Sequence, residues 1–205
     1  MPRPKRYDRS DAVKKACDAF WQHGYGALGV RSLENLTGLN RFAIQTEFGG
    51  KEGLFLETLD RYALESETHL LGPLREGSLD QVMVFFNQIG TPSQEPAQIY
   101  GCLMANTVVE NAVPASAAIK ERTDRHFELL KQAFRAALTH AKSDGQLAGD
   151  FDTEEAAAFL VGSTLGIQMT IRKAGSLKTA RPYLNVLIKT IESWQTTPVT
   201  SADRT

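Results

Sequence analysis

The segment from Arg31 to Leu54 constrains the fold of this chain more than any other stretch of its 205 residues. Its sequence is RSLENLTGLNRFAIQTEFGGKEGL, in which apolar residues recur at helical spacing on both sides of Gly38. A sharp reversal between two packed helices needs a residue that tolerates positive φ, and glycine does so without steric cost. Asn40 is placed to cap the helix that follows. The segment therefore predicts two short helices joined by a tight turn, which is a helix-turn-helix.

The apolar and polar residues of this segment are predicted to lie on opposite faces. Apolar side chains would hold the two helices together, so that the polar side chains of the second helix face outward. The apolar set comprises Val30, Leu33, Leu36, Leu39, Ile44 and Phe48. The second helix would then be free to contact a partner.

Charge is divided unevenly along the chain. Residues 1–51 contain nine lysines and arginines against five acidic residues, whereas the remaining residues contain fourteen against nineteen. The formal net charge of −1 is thus the sum of a basic N-terminal segment and an acidic remainder of the chain. This asymmetry favours a polyanionic partner for the N-terminal segment over an evenly solvated surface.

Composition and cysteine spacing limit the class of protein. The 42% hydrophobic content allows a substantial core, but no apolar run approaches the roughly 20 residues that cross a bilayer. The basic start is followed by a charged helix and not by an apolar signal segment. Cys17 and Cys102 belong to no CxxC motif or Cys/His cluster. The sequence therefore predicts a cytoplasmic protein without a membrane partner, structural metal or cofactor.

Apolar residues recur at helical spacing in successive segments of the chain, and no pair of strands stands out. A first helix is predicted over residues 9–23, and a long helix from Lys51 to Gly72-Pro73, where proline ends it. Further helices are predicted at about 78–89, 98–111, 114–140, 153–173 and 177–194. These elements predict an all-α fold.

Four motifs occur in a fixed order near the N-terminus. They are Ala19-Phe20, Gly24-Tyr25, the segment from Val30 to Leu39, and Phe48-Gly49-Gly50-Lys51-Glu52-Gly53-Leu54. Their order and spacing resemble the TetR/AcrR family of bacterial transcriptional regulators, and Tyr100-Gly101-Cys102-Leu103 with Asn106 is similar to one branch of it. The resemblance implies an all-α homodimer. Its parts would be an N-terminal three-helix helix-turn-helix DNA-binding bundle (1–51), a C-terminal helical effector-binding and dimerisation domain (52–196), and a polar tail (197–205).

The resemblance also implies which side chains contact double-stranded operator DNA. The expected DNA-binding residues are Arg31, Asn40, Arg41, Phe42, Gln45, Thr46, Glu47 and Lys51. The chain departs from the family pattern at Gln45, where a tyrosine is usual, and at Phe42 and Glu47. Gln45 can pair with adenine, whereas Glu47 either accepts from cytosine or is a solvated charge at the helix end. Lys51 begins a helix and is expected to contact phosphate.

A small-molecule effector is expected in a mostly apolar pocket between residues 59 and 169, which would suit an aromatic or lipophilic compound. The candidate residues are Phe85, Phe86, Cys102, Leu103, Met104, Asn106, Thr107, Phe127, Phe134 and Gln168. Ordinary core packing is the alternative for each of them, and the sequence favours it over ligand contact. Cys102 is either a thiol activated in the first turn of a helix, which would sense electrophilic or oxidising compounds, or a small buried hydrophobe.

Homodimerisation is expected to use the last two long helices, which carry apolar and small residues at close spacing. The candidate interface residues are Phe159, Gly162, Ser163, Gly166, Tyr183, Leu187 and Ile191. Glycine and serine there would allow close approach of helices, although ordinary packing within one subunit is the alternative.

The predicted function is repression of transcription, with release from a near-palindromic operator when the effector binds. A helical ligand-binding or adaptor protein that has lost DNA binding is the alternative. An enzyme has little support, because the four histidines are scattered and no Ser/His/Asp elbow, HExxH or phosphate-binding loop motif occurs.

Overall fold

The computed structural model describes residues 7–91, 96–110 and 116–196, and these residues are almost entirely helical. The α-helices are α1 (Arg9–His23), α2 (Val30–Thr37), α3 (Arg41–Phe48), α4 (Lys51–Ser66), α5 (Gly72–Glu76), α6 (Leu79–Gly90), α7 (Leu103–Glu110), α8 (Ala117–Ser143), α9 (Thr153–Ala174) and α10 (Arg181–Glu192). The described residues contain one isolated β-bridge and no strand, so the predicted all-α fold is confirmed. The predicted tail at 197–205 and the helix start at Pro114 lie outside the described residues.

The first helix has the bounds that its sequence predicts. The Asp8 carboxylate accepts a hydrogen bond from the Asp11 amide at 2.8 Å and caps the N-terminus, and Gly24 ends the helix with φ of 85°. Phe20 is buried and packs edge-on against Phe55 of α4 with ring centres 4.8 Å apart. Helix α1 is thereby fixed to α4.

The core of the N-terminal bundle continues into the rest of the molecule. Buried Leu54 and Leu59 of α4 pack with buried Leu103 and Met104 of α7, and with Ile119 at the start of α8, in one apolar cluster with α1–α3. The domain boundary at residue 51 stays a prediction, but helices on both sides of it share this core.

The prediction that a helix ends at Gly72-Pro73 is wrong. Helix α4 ends at Ser66, a π-helical segment follows at Glu67–Leu71, and α5 begins at Gly72. The Gly72 amide bonds the Glu67 carbonyl, five residues back. Proline lacks an amide hydrogen and its ring crowds the carbonyl four residues earlier, so the wider turn lets the helical path continue past Pro73.

Helices α6, α8, α9 and α10 enclose a second core. Phe86 and Phe134 are fully buried there, with stacked rings 5.6 Å apart, and Phe85 packs edge-on against both. No helix within the described ranges is both long and apolar enough to span a bilayer. The described residues thus form two apolar cores, one around α1–α4 with α7, and one around α5, α6 and α8–α10.

Two other predicted helices are each divided into a short 3-10 turn and an α-helix. The predicted helix at 98–111 consists of a turn at Pro96–Tyr100 and α7, separated at Gly101, whose φ is 74°. The predicted helix at 177–194 consists of a turn at Leu177–Ala180 and α10. Pro182 lies in the first turn of α10, where backbone amides have no partner within the helix, so the missing amide hydrogen of proline costs no hydrogen bond.

Candidate nucleic-acid interface

The turn between α2 and α3 is held by local backbone bonds, as predicted. Gly38 has φ of 76°, and its amide donates to the Glu34 carbonyl at 3.0 Å. The Asn40 side chain accepts from the Ala43 amide at 2.7 Å and so caps α3. The Glu34 carboxylate accepts from the Arg41 amide at 2.6 Å and ties α2 to α3. The two helices are therefore fixed relative to each other before any partner binds.

Helix α3 has one buried and one exposed face. Ala43, Ile44 and Phe48 point into the core. The exposed face carries Arg41, Phe42, Gln45 and Thr46. Phe42 is 75% exposed, which is unusual for a ring of its size and leaves it free to pack on a sugar or a base methyl group.

One apolar residue of the predicted packing set lies elsewhere. Leu36 is 45% exposed on α2 and does not pack in the core, whereas Leu33, one turn earlier, is fully buried. The prediction for Leu36 is wrong, because an eight-residue helix presents only a narrow stripe to its neighbours.

Glu47 points away from the exposed face. Its carboxylate accepts a hydrogen bond from the Tyr7 hydroxyl, and burial together with this bond raises the pKa of Tyr7 to about 12. Glu47 is half-buried, unlike Gln45 and Thr46. The structure therefore gives it a role in fixing residue 7 to α3, which neither of the two sequence interpretations included.

Lys51 stands at the first residue of α4, next to the exposed face of α3. Its ammonium lies 4.2 Å from the centre of the Tyr25 ring, and burial lowers the pKa of Lys51. Gly49 and Gly50, both with positive φ, turn the chain so that α4 begins here. Arg31 is exposed near the start of α2, without an ion-pair partner among the described residues. Phosphate contact by these two cations stays a prediction.

Gly53 is a residue of this site that sequence reasoning missed. A Cβ atom added there would lie 1.6 Å from the Phe48 carbonyl oxygen, so only glycine lets the first turn of α4 approach the end of α3 this closely. A glycine inside a helical pattern, beside the Gly49-Gly50 pair, was the available signal.

Nine of the ten predicted effector residues do not line the cavity found in the structure. Phe85, Phe86 and Phe134 belong to the second core, and Phe127 is partly buried against both cores. Cys102, Leu103 and Met104 belong to the core around α1–α4. Asn106 and Thr107 are buried, with side chains bonded to the carbonyls of Tyr100 and Leu103. Gln168 alone of the set lines the cavity, which lies between α1, α4, α6 and α9 and has a volume of about 710 Å³.

Cys102 is a buried small residue. The Tyr62 hydroxyl donates to its sulfur at 3.3 Å, and burial raises the pKa of the Cys102 thiol. A raised pKa disfavours the thiolate that oxidants and electrophiles attack. Of the two alternatives left open by the sequence, the structure favours the buried hydrophobe.

The predicted dimer residues fall into two groups. Phe159, Gly162 and Tyr183 are exposed on α9 and α10, and Val186, which the sequence did not indicate, is 67% exposed beside them. The Tyr183 ring lies against the partly buried Gly166. Ser163, Leu187 and Ile191 are buried inside the subunit, and we remove them from the predicted interface.

Comparison with known proteins identifies the family. The model for the tetracyclin repressor-like C-terminal domain matches residues 78–186. The chain belongs to the TetR family. The HTH-type transcriptional repressor ComR of Escherichia coli is 31% identical over 193 residues, which cover 86% of this chain and 85% of ComR. AcnR of Corynebacterium glutamicum, another HTH-type repressor, is 27% identical over 152 residues, 74% of this chain and 75% of AcnR.

Solved structures of TetR-family regulators share the fold. A cysteine mutant of CifR in complex with a 26 bp double-strand operator DNA aligns with a TM-score of 0.78 at 23% identity, covering 94% of this chain and 99% of that one. Reduced E. coli NemR aligns with a TM-score of 0.78 at 17% identity, covering 94% and 98%. This TetR-family chain therefore shares the fold of both solved chains over nearly their whole length.

Proposed function

We propose that this TetR-family protein is a DNA-binding transcriptional repressor that acts in the cytoplasm as a homodimer. Helix α3 enters the major groove of a near-palindromic operator, and a small-molecule effector releases it. The observation that carries the proposal is the exposed face of α3, with Lys51 beside it, on a basic N-terminal segment. The relatives named as HTH-type repressors and the operator-bound CifR structure support it. No catalytic role is included in the proposal.

The residues of the exposed face differ in the contacts they can make. Gln45 can donate to and accept from adenine in the major groove, and each good base contact contributes roughly 1–3 kcal/mol of discrimination. Phe42 and Thr46 can pack on a sugar or a thymine methyl. Arg31, Arg41 and Lys51 are assigned to phosphates, which position the helix without reading sequence. Asn40 acts through the cap that it forms at the start of α3.

Twofold symmetry of the dimer places constraints on the operator. Two copies of α3 would enter successive major grooves about 34–36 Å apart, or a multiple of that distance. Selection of bound sequences from random duplex DNA tests the whole proposal. We expect related half-sites in inverted orientation. Recovery of no enriched sequence at low ionic strength would instead support the adaptor alternative.

Release by an effector requires that it binds the DNA-free arrangement more tightly than the DNA-bound one. Thermodynamic linkage then makes the coupling between effector binding and operator binding reciprocal. A ligand that lowers operator affinity must bind more weakly, by the same factor, when operator is present. Equal ligand affinities with and without operator in calorimetry would contradict this coupling.

Replacement of Lys51 by alanine is expected to reduce the salt dependence of DNA binding. Each phosphate neutralised by the protein contributes nearly one unit to the slope of log K against log salt concentration. The slope per binding subunit should fall by about one unit in Lys51→Ala, as measured by fluorescence anisotropy with labelled operator. The matched control is Lys173→Ala, an exposed lysine near the end of α9, which should keep the wild-type slope. An unchanged slope in Lys51→Ala would contradict the phosphate contact.

Replacement of Phe159 by glutamate is expected to dissociate the dimer. Phe159 is 46% exposed on the apolar face with Tyr183 and Val186, and a carboxylate buried there without a partner is costly. Light scattering should then give the mass of one subunit, with operator affinity lowered at least tenfold. The control is Leu64→Glu, at a leucine on α4 that is 68% exposed. A Phe159→Glu protein that remains dimeric would place the interface on another surface.

A further inference from the structure

The cavity of about 710 Å³ lies where the N-terminal bundle meets the rest of the molecule. Helix α1 contributes Cys17 and Trp21 to its wall, α4 contributes Tyr62 and Ser66, and Gln168 faces it from α9. Its volume falls within the range of small-molecule sites, and the surface of its wall is mostly apolar, with amide, hydroxyl and charged groups among the lining side chains. It is a separate place from the Phe85–Phe134 cluster, which is filled by its own rings.

The charged groups around this cavity neutralise one another. Lys14 pairs with Asp18 at 3.4 Å on α1, and Arg61 pairs with Glu65 at 2.7 Å on α4. These four residues are the lysines, arginines and carboxylates that line the cavity. A cation or an anion entering it would meet a like charge beside each opposite one, so no net attraction favours a charged ligand. A neutral molecule meets the apolar wall without that penalty.

The aromatic part of the wall favours a flat ring system. The rings of Trp21 and Tyr62 meet edge to face with centres 5.1 Å apart, and rings in this geometry offer both an edge and a face to a third ring. Burial raises the pKa of the Cys17 thiol beside them to about 12, which disfavours the thiolate that electrophiles attack.

Trp21 also connects the two parts of the molecule. Its indole N–H donates to the Gly101 carbonyl at 2.9 Å, and its own carbonyl accepts from Arg172 of α9 at 2.8 Å. A molecule that packs against the indole ring acts directly on the residue through which α1 is bonded to α9. The π-helical segment, which supplies His69 and Leu70 to the wall, is the place where the α4–α5 path already departs from regular geometry.

From these observations we infer that the cavity between α1, α4, α6 and α9 binds the effector, and that the effector is a neutral, flat aromatic molecule in contact with Trp21. The inference rests on the proposed function only in calling this ligand an effector. The contact with α1 means that the ligand touches the N-terminal bundle itself, so its binding shifts the position of that bundle without a relay through the second core.

The test uses the full-length, nitrogen-15-labelled protein and two probes that differ in charge, 1-naphthol and naphthalene-1-sulfonate. The chain has two tryptophans, so the indole region of the NMR spectrum contains one resonance for each. Trp194 packs on Phe151 and Phe159 and serves as the internal control, and Trp194→Phe assigns the two signals. We expect 1-naphthol to shift the Trp21 resonance saturably and to leave the Trp194 resonance in place. The sulfonate should bind at least tenfold more weakly.

A pair of variants tests whether the probe occupies the cavity: one adds a large side chain inside the cavity, and the other adds the same side chain outside it. Ser66 is 8% exposed and lines the cavity, whereas Leu64, two residues earlier, is 68% exposed. Ser66→Phe should weaken 1-naphthol binding at least tenfold, and Leu64→Phe should not change it. If Ser66→Phe loses the dispersed spectrum of a folded protein, the inference is tested by the comparison of the two probes on the unsubstituted protein.

Three results would overturn the inference: an unmoved Trp21 resonance, a shift at Trp194 only, or equal affinity for the two probes. Binding of duplex DNA is measured in the same preparation and does not depend on these outcomes. DNA binding without a naphthol response overturns the cavity assignment alone. A naphthol response without DNA binding overturns the proposed function instead.

Discussion

Replacement of Gly53 by alanine is expected to destabilise the N-terminal bundle by about 3 kcal/mol or more, at the upper end of what overpacking costs. The added Cβ would lie 1.6 Å from the Phe48 carbonyl oxygen, a backbone atom that cannot rotate away. Relief of the clash requires that α4 withdraw from α3, which moves Lys51 from its place beside the exposed face. Urea denaturation should show the loss of stability, and operator affinity should fall with it.

Gly26 provides the control for this substitution. A Cβ atom added at Gly26 has no neighbour within 4 Å, and its φ is not in the left-handed region. Gly26→Ala should therefore change the free energy of unfolding by no more than about 0.5 kcal/mol. If both variants were equally stable, the close approach of α4 to α3 would not be a requirement of the fold.

The second large effect is expected from acidification, through His126. This residue is 6% exposed on α8, and burial lowers its pKa to about 4, an effect that the Glu67 carboxylate partly opposes. Because the unfolded chain binds this proton more readily, stability is full above pH 6.5 and is lost as the pH falls toward 4, with no further loss from this group below that. Between pH 7 and pH 4.5 the contribution amounts to about 2 kcal/mol.

Comparison of variants separates His126 from the carboxylates that also titrate in this range. His126→Gln cannot take up the proton, so its unfolding free energy should fall about 2 kcal/mol less than that of the unsubstituted protein over the same interval. Phe134→Leu, two turns further along α8 in the second core, loses packing but keeps the imidazole and its surroundings, and should retain the full pH dependence. The same pH dependence in His126→Gln as in the unsubstituted protein would show that the buried imidazole is not the group responsible.

Features that depend on neighbouring residues could be predicted from the sequence. The turn at Gly38, the cap at Asn40 and the bounds of α1 all follow from bonds within a few residues, and the structure confirms them. The end of α4 could not be predicted in this way. Proline usually ends a helix, but here the π-helical segment before Pro73 lets the chain continue to Glu76. That outcome depends on packing against the rest of the molecule.

The candidate ligand site was harder to predict, because its wall comes from distant parts of the chain. Lys14 and Gln168 face the same cavity, and a sequence pattern contains no information on which helices enclose a space. Aromatic residues such as Phe86 and Phe134 were plausible lining residues, but they fill the second core with one another. In the same way, Leu187 and Ile191 have the composition of an interface and lie inside the subunit.

The shared core of α1–α4 with α7 and α8 limits how evolution can recombine proteins of this kind. Leu103, Met104 and Ile119 follow the N-terminal bundle in the chain by more than forty residues, yet they complete its interior. A gene fusion that joined the N-terminal bundle of another protein at residue 51 would leave those side chains facing surfaces that they do not fit. We therefore expect exchange of the whole N-terminal bundle to lower stability more than point substitutions on the exposed face of α3 do.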